Sequence, residues 1–291
     1  MVFFRDIFSE FVELKRSSNS FSTDYYKNKY KPIALLSDIL KNVILGRYVS
    51  FGVMTVYNDS SIDKTYSDFL KLFVSIPNKA ILDYTKLSKS ILSSIDSLLS
   101  ITNISYMYMD WDTLQKILEL SSQAIKSANI QASATACSMI DNMYSFLIES
   151  YNSRLPNPQK NVAFPLFDGE RNRSKIDGLL VSRGDIARDL LFTIYDIILL
   201  DNRPDDWSLS RALFTLSVLQ KDNLFQRSDY IVKSQPPKSQ EQVYELISGI
   251  LKGTEFSLTL ENKDKFSDSI TQYKKEVLTN NIILTVPTSQ I

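Results

Sequence analysis

The sequence predicts an all-α fold, organised as an α-solenoid of HEAT-type antiparallel helix pairs. Apolar residues recur at three- and four-residue steps in roughly ten segments, and no run shows the alternation typical of a strand. The segments pair at intervals of about 40 to 50 residues, which is the range of HEAT and armadillo repeats. Because a helical hairpin cannot bury both apolar faces alone, each pair needs a similar neighbour. Periodicity alone does not separate a solenoid from a globular helix bundle.

Six helices are predicted before residue 154. They span 2–16, 24–45, 61–76, 83–100, 110–128 and 131–153. Pro32 kinks the second helix or marks its true start, since proline is tolerated only in the first turn. Gly46 is a typical residue after a helix end, and Pro77 stops the third helix, which then forms a hairpin with the fourth. Asp110 or Asp112 is the expected cap of the fifth helix.

The stretch 154–184 breaks this rhythm and is interpreted as an inserted loop. It contains three prolines and then a short charged run. The charged side chains are candidate partner-contact residues: Asp168, Glu170, Arg171, Arg173 and Lys175. Their mixed signs are equally typical of a solvated loop.

Helical periodicity resumes after the loop. Five further helices are predicted at 185–203, 207–219, 221–233, 238–260 and 263–278. Asp205 or Asp206 is expected to cap the second of these, and Trp207 to pack between helices. Gly249 and Gly253 interrupt or weaken the fourth. An irregular tail is predicted over 280–291. We predict that the chain as a whole, 1–291, forms one solenoid.

Composition argues against catalysis. The chain has no histidine, which excludes Ser-His and Cys-His nucleophile pairs and the commonest zinc ligands. Neither a P-loop nor a dinucleotide-binding glycine motif occurs, and seven glycines are few for phosphate-binding loops. We therefore predict that the chain is not an enzyme and needs no cofactor.

Charge and hydropathy also limit the partners. Lys plus Arg (33) balance Asp plus Glu (33), so no net field attracts nucleic acid or an anionic membrane. No apolar run approaches the ~20 residues that span a bilayer. Lys27, Lys29 and Lys31 alternate with tyrosines, but at helical spacing they scatter around the cylinder. We expect neither nucleic acid nor membrane as a partner.

Two kinds of candidate chemistry have simpler structural explanations. Cys137 lies in a run of small residues inside a helix with no Lys or Arg close by, so we expect a buried core thiol. Four carboxylates are candidates for metal binding or acid–base work: Asp196, Asp201, Asp205 and Asp206. A helix cap accounts for the last two, and an enzyme that uses these carboxylates remains an open alternative.

Several motifs resemble one family in the same order along the chain. They are YVSFGV at 48–53, LFVSIP at 72–77, LDYTKLS at 82–88, DWSLSR at 206–211, IVKSQPP at 231–237, NKDKF at 262–266 and YKKEV at 273–277. Together they resemble the C-terminal part of exportin-7-type nuclear transport receptors of the importin-β (karyopherin) superfamily. The signature residues are expected to be structural: Tyr48, Phe51, Gly52, Pro77, Asp83, Tyr84, Trp207, Arg211, Pro236 and Pro237.

The resemblance implies a HEAT-repeat arch from a nuclear export receptor. Such a receptor binds protein cargo cooperatively with Ran-GTP, contacts Phe-Gly nucleoporins and shuttles between nucleus and cytoplasm. The principal Ran contacts in this superfamily lie in N-terminal repeats that this chain lacks, so we expect weak Ran binding by the chain alone. A helical-repeat scaffold that is not coupled to Ran remains the alternative.

Overall fold

A computed structural model describes residues 29–46, 60–101, 109–152, 184–201 and 206–280, with isolated residues at 6, 9, 10, 57, 178, 282 and 284. Within these ranges the chain forms eleven α-helices and no strand. The all-α prediction is confirmed, and the packing of helices against one another is consistent with a helical-repeat solenoid. The chain divides into two compact units, Met1–Met139 and Ile140–Ile291. The prediction of one solenoid over 1–291 stays a prediction.

The first unit contains five helices and the start of a sixth. They are α1 (Lys31–Leu45), α2 (Ser61–Ser75), α3 (Asn78–Asp83), α4 (Thr85–Ile101), α5 (Trp111–Lys126) and α6 (Ile130–Asn152), which continues into the second unit. α4 packs mainly against α1, and α2 packs against α5. Pro32 lies in the first turn of α1 and so marks its true start.

The hairpin predicted from 61–76 and 83–100 is wrong in detail. The short helix α3 lies between the two segments, and α4 makes its main contacts with α1 and α3. Ile76 and Pro77 are extended and end α2, as predicted from the proline. The six residues of α3 thus separate α2 from α4, which packs on α1.

Asp110 caps α5, and its removal has a measurable effect. Its side chain accepts a hydrogen bond of 2.8 Å from the Thr113 backbone N–H, which otherwise lacks an intrahelical partner. Asp110→Ala is expected to lower the free energy of unfolding by about 1 kcal/mol, whereas Asp110→Ser should retain most of it. Urea denaturation checks this, and equal midpoints for the alanine and wild-type chains would contradict the cap.

The second unit contains the rest of α6 and five further helices. These are α7 (Gly184–Leu200), α8 (Asp206–Leu219), α9 (Lys221–Lys233), α10 (Gln240–Leu251) and α11 (Leu260–Thr279). α8 is central, because it packs against α7, α9 and α11. Its middle is buried on all sides, from Ala212 to Leu216, as expected of a helix in the core.

The structure corrects the predicted bounds of the last two helices and confirms other predictions. The helix predicted over 238–260 ends at Leu251, because Gly253 takes a left-handed conformation (φ 75°) that stops it. α11 then begins at Leu260, where the Thr259 side chain accepts a hydrogen bond from the Asn262 N–H. α9 has its predicted bounds, and Cys137 is fully buried as predicted. The loop at 154–184 and the tail at 280–291 lie almost wholly outside the described residues.

Three buried tyrosines predict a loss of stability at high pH. Burial raises the pKa of Tyr195, Tyr144 and Tyr273 above that of a free phenol. The folded chain therefore holds these protons above pH ~10, where the unfolded chain releases them. Their stabilisation is complete below that pH and is lost as pH rises toward the folded-state pKa values.

We expect the free energy of unfolding to fall steadily above pH ~10. In an alkaline titration, a fraction of the tyrosines should ionise only when the chain unfolds, and tyrosinate absorbance reports this late-ionising fraction. Tyr195→Phe should reduce both the late-ionising fraction and the slope of the free energy of unfolding against pH above pH ~10. If all phenols ionised near pH 10 while the far-ultraviolet circular dichroism stayed native, the burial argument would be wrong.

Candidate protein-interaction surface

The second unit leaves large aromatic side chains exposed on α8, α9 and α10; they are Trp207, Phe225, Tyr230 and Tyr244. The first three lie beside an arginine or a lysine. Tryptophan, tyrosine and arginine are the residue types that dominate the binding energy of protein interfaces. The helices α8, α9 and α10 therefore form the candidate interaction surface.

Trp207 is the most exposed member, with 63% of its surface accessible. The Arg211 guanidinium lies one turn further along α8, 4.7 Å from the centre of the indole. Arg211 Nη1 also donates a 3.0 Å hydrogen bond to Asp264 on α11. The prediction that Trp207 packs between helices is wrong, because the buried residues of α8 begin at Leu209 and leave the first turn at the surface.

Beneath Arg211 lies a charged network around Asp141. Lys263 Nζ lies 2.5 Å from Asp141 Oδ1, and Arg211 Nε lies 3.8 Å from Oδ2. Thr215 donates a hydrogen bond to Asp141 Oδ1, and Lys263 also donates to Ser145 Oγ at 3.0 Å. The network ties α6, α8 and α11 together and fixes the arginine that supports Trp207.

A second aromatic and cationic group lies where α9 meets the loop before α11. Lys221 Nζ lies 5.2 Å from the centre of the Phe256 ring and 5.9 Å from that of Phe225. Phe256 in turn lies against the buried Phe214 ring, with 6.3 Å between centroids. Phe256 thus connects the exposed Phe225 ring to the buried Phe214 ring.

Arg227 forms the third group, on the other flank of α9. Its guanidinium makes a bidentate ion pair with Asp196 on α7, with Nε 3.0 Å from Oδ1. The same group lies 5.3 Å from the Phe192 ring and 5.2 Å from the Tyr230 ring. Asp196 and Phe192 hold Arg227 in place, and Arg227 in turn holds the Tyr230 side chain. A side chain that is already ordered loses less conformational entropy when a partner binds.

An apolar cavity of about 240 Å³ lies between the ends of α7 and α11. Its walls include Leu199, Val277, Leu278, Ile282 and Leu284, with Lys274 and Asp201 at the polar side. Sites for drug-sized ligands measure about 300–1,000 Å³. The cavity is therefore better matched to one apolar side chain than to a cofactor.

The charged loop predicted from the sequence lies outside the part of the chain that the structure describes. Asp168, Glu170, Arg171, Arg173 and Lys175 all lie outside the described residues, as do the signature residues Tyr48, Phe51 and Gly52. Their proposed roles stay predictions.

Most described signature residues lie at helix ends or between helices. Pro77 precedes α3, and Asp83 and Tyr84 join α3 to α4, with the Tyr84 ring 5.2 Å from the buried Tyr30 ring. Pro236 and Pro237 form the exposed turn between α9 and α10. The Pro236 carbonyl accepts a 2.9 Å hydrogen bond from the Ser239 N–H. A structural role fits these positions, whereas Trp207 and Arg211 lie on the candidate surface.

Of the four candidate carboxylates the structure describes the side chains of Asp196 and Asp201, which have different surroundings. Asp196 is held by Arg227, Asp201 is exposed near the cavity, and Asp205 and the Asp206 side chain are outside the described part of the chain. In the described ranges no group of three potential metal ligands occurs. Nor does any helix described there combine the length and apolarity needed to cross a bilayer.

The fold and this surface define the class as an all-α helical-repeat protein with an exposed set of interface-type residues. Comparison with curated proteins identifies the relatives. The chain is 27% identical over 253 residues to Exportin-7-B of Xenopus laevis, covering 87% of this chain and 22% of that protein. It is 23% identical over 262 residues to Ran-binding protein 17 of Mus musculus, covering 90% and 24%. Exportin-7 of Dictyostelium discoideum is 21% identical over 279 residues, covering 95% and 26%.

These relatives confirm the resemblance to exportin-7-type nuclear export receptors over most of the chain. The chain spans about a fifth to a quarter of the length of the curated relatives it matches. No protein-family model matches it. No solved structure matches it either. The relatives carry the names exportin and Ran-binding protein, neither of which names an enzymatic activity.

Proposed function

We propose that this chain forms the C-terminal HEAT-repeat arch of a nuclear export receptor that binds protein cargo cooperatively with Ran-GTP. The observation that carries the proposal is the similarity to exportin-7 and Ran-binding protein 17 along 87–90% of the chain. The intact receptor would take cargo through the nuclear pore and release it after GTP hydrolysis. It would therefore shuttle between nucleus and cytoplasm.

The mechanism is thermodynamic linkage and needs no catalytic group. If Ran-GTP and cargo favour the same arrangement of the repeats, each raises the affinity of the other by the same factor. Small rotations between neighbouring repeats add up along a helical stack, which makes such an arrangement easy to bias.

Two features of the second unit would serve the partners. The exposed Trp207, supported by Arg211, has the composition of an interface hot spot and would contact protein cargo. The apolar cavity between α7 and α11 would accept the phenylalanine side chain of a Phe-Gly nucleoporin repeat. Neither role involves nucleic acid or a membrane.

A pull-down tests the proposal. The full-length protein and this chain are immobilised in parallel and exposed to nuclear extract with GTP-locked Ran, GDP-Ran or no Ran. We expect the full-length protein to capture Ran and cargo together only with GTP-locked Ran. Capture of the same partners in all three lanes would refute coupling and favour a helical-repeat scaffold that is independent of Ran.

The chain alone should bind Ran weakly, because the principal Ran contacts are expected in repeats outside it. Surface plasmon resonance with Ran-GTP and Ran-GDP gives the comparison. Saturable submicromolar binding of Ran-GTP, absent for Ran-GDP, would show that this arch is a principal Ran site.

A further inference from the structure

The chain that leaves α11 turns back toward the apolar cavity between α7 and α11. The helix ends at Thr279, and the Ile282 backbone N–H then donates a 3.1 Å hydrogen bond to the Val277 carbonyl. A bond of this kind closes many helix C-termini and carries the chain away from the helix axis. Ile282 therefore lies beside the last turn of α11, where it lines the cavity together with Val277.

Two residues of this segment, Ile282 and Leu284, form part of the cavity wall. Both side chains are half-buried. Residues that are two positions apart share one side of an extended chain, whereas the residue between them faces the other side. The next residue in the cavity-facing phase is Val286, and Thr285 is in the opposite phase. The direction of the chain thus brings Val286 next to the cavity.

The cavity keeps apolar surface in contact with water. Leu200 and Leu278, which belong to its lining, are 42% and 60% exposed. Covering such surface is favourable, and Val286 can reach it from Leu284 because two residues of extended chain span about 7 Å. Residues 285–291 carry no charge, so covering the cavity with them buries no ion.

We propose that residues 285–291 form a strap that covers this cavity with the Val286 side chain and competes there with an apolar side chain from a partner. The strap itself is independent of the proposed function. Its competition with a Phe-Gly repeat rests on the proposed function.

The strap makes the cavity a regulated site. A partner can enter only in those molecules in which the strap is displaced, so its apparent affinity is reduced in proportion to that fraction. Any event that draws residues 285–291 away from the cavity therefore raises the affinity for an apolar partner.

The test uses the full 291-residue chain, with N-acetyl-phenylalanine amide as an uncharged probe that offers one apolar side chain. Val286→Ser removes the apolar contact without adding a carboxylate that Lys274, in the cavity wall, could attract. Thr285→Ser is the matched control, because it removes one methyl group from the opposite side of the segment. The NMR signals of the Leu278 methyl groups report binding at this cavity.

We expect Val286→Ser to bind the probe about fivefold more tightly than the wild-type and Thr285→Ser chains do, which corresponds to a wild-type cavity that is free in about a fifth of the molecules. The Ile282 amide should also exchange its hydrogen faster in Val286→Ser alone, because the segment is no longer held. Equal affinities in the three chains, or binding that leaves the Leu278 methyl signals unchanged, would overturn the strap.

A peptide with several Phe-Gly repeats separates the strap from the proposed function. If Val286→Ser tightens binding of both the peptide and the probe, both proposals are supported. If it tightens binding of the probe while the peptide binds none of the chains, the strap stands and the nucleoporin role of the cavity fails. A peptide that binds all three chains equally would overturn the strap and leave the nucleoporin role intact.

Discussion

Phe214→Ala is expected to lower the free energy of unfolding of the second unit by about 3–5 kcal/mol. Phe214 is fully buried in the middle of α8, and its ring centroid lies 5.4 Å from that of Phe266 on α11. It also lies against Phe256, the ring beneath the Lys221 group. Truncation removes the apolar contacts and leaves a cavity that rigid neighbouring helices fill only in part.

Chemical denaturation and hydrogen exchange of peptides from α8 and α11 measure this effect. Tyr244→Ala is the matched control, because this side chain is 57% exposed on α10 and its loss should change stability by about 0.5 kcal/mol or less. If Phe214→Ala cost no more than Tyr244→Ala, α8 would not be the core helix of this unit.

Asp141→Ala should destabilise the second unit by a similar amount, about 3–5 kcal/mol. The Asp141 and Lys263 side chains are only 13% and 9% exposed, so the variant leaves a buried ammonium without its counter-ion. Thr215 and Ser145 lose their shared acceptor as well. This loss of stability arises mainly from the unpaired buried charge of Lys263, and less from the net stabilisation that the ion pair provides.

A double variant separates these two contributions. Asp141→Leu with Lys263→Met removes both charges together and should recover most of the lost stability, as found when buried pairs are replaced by apolar residues. Glu261→Gln breaks the exposed pair with Lys265 and should produce no measurable change. A double variant as unstable as Asp141→Ala would show that the charges themselves hold these helices together.

Local signals in the sequence predicted local structure well. The apolar periodicity predicted the bounds of α9 correctly. Asp110 and Asp112 were both predicted as possible caps of α5, and the structure shows that Asp110 is the cap. The small-residue run around Cys137 correctly predicted a buried core thiol. Each of these features depends on residues within one or two helical turns, which sequence patterns report directly.

Features that depend on distant residues were missed. Lys263 and Asp141 are 122 positions apart, and nothing in either neighbourhood indicates the other. Trp207 looked like a core residue by composition, but its exposure depends on which face of α8 meets α11. The end of α10 at Leu251 follows from the positive φ of Gly253, where the sequence showed only a weakened helix.

The candidate surface had a partial signal in the sequence. The signature motif DWSLSR contains both Trp207 and Arg211, but the motif does not reveal whether its tryptophan is buried or exposed.

The most direct test of the proposed function is the affinity of the full-length protein for one identified cargo, measured without Ran and with saturating GTP-locked Ran. Linkage predicts that Ran raises the cargo affinity by about 5–150-fold and that cargo raises the Ran affinity by the same factor. Equal cargo affinities in the two conditions would contradict the export mechanism and leave a protein-binding scaffold.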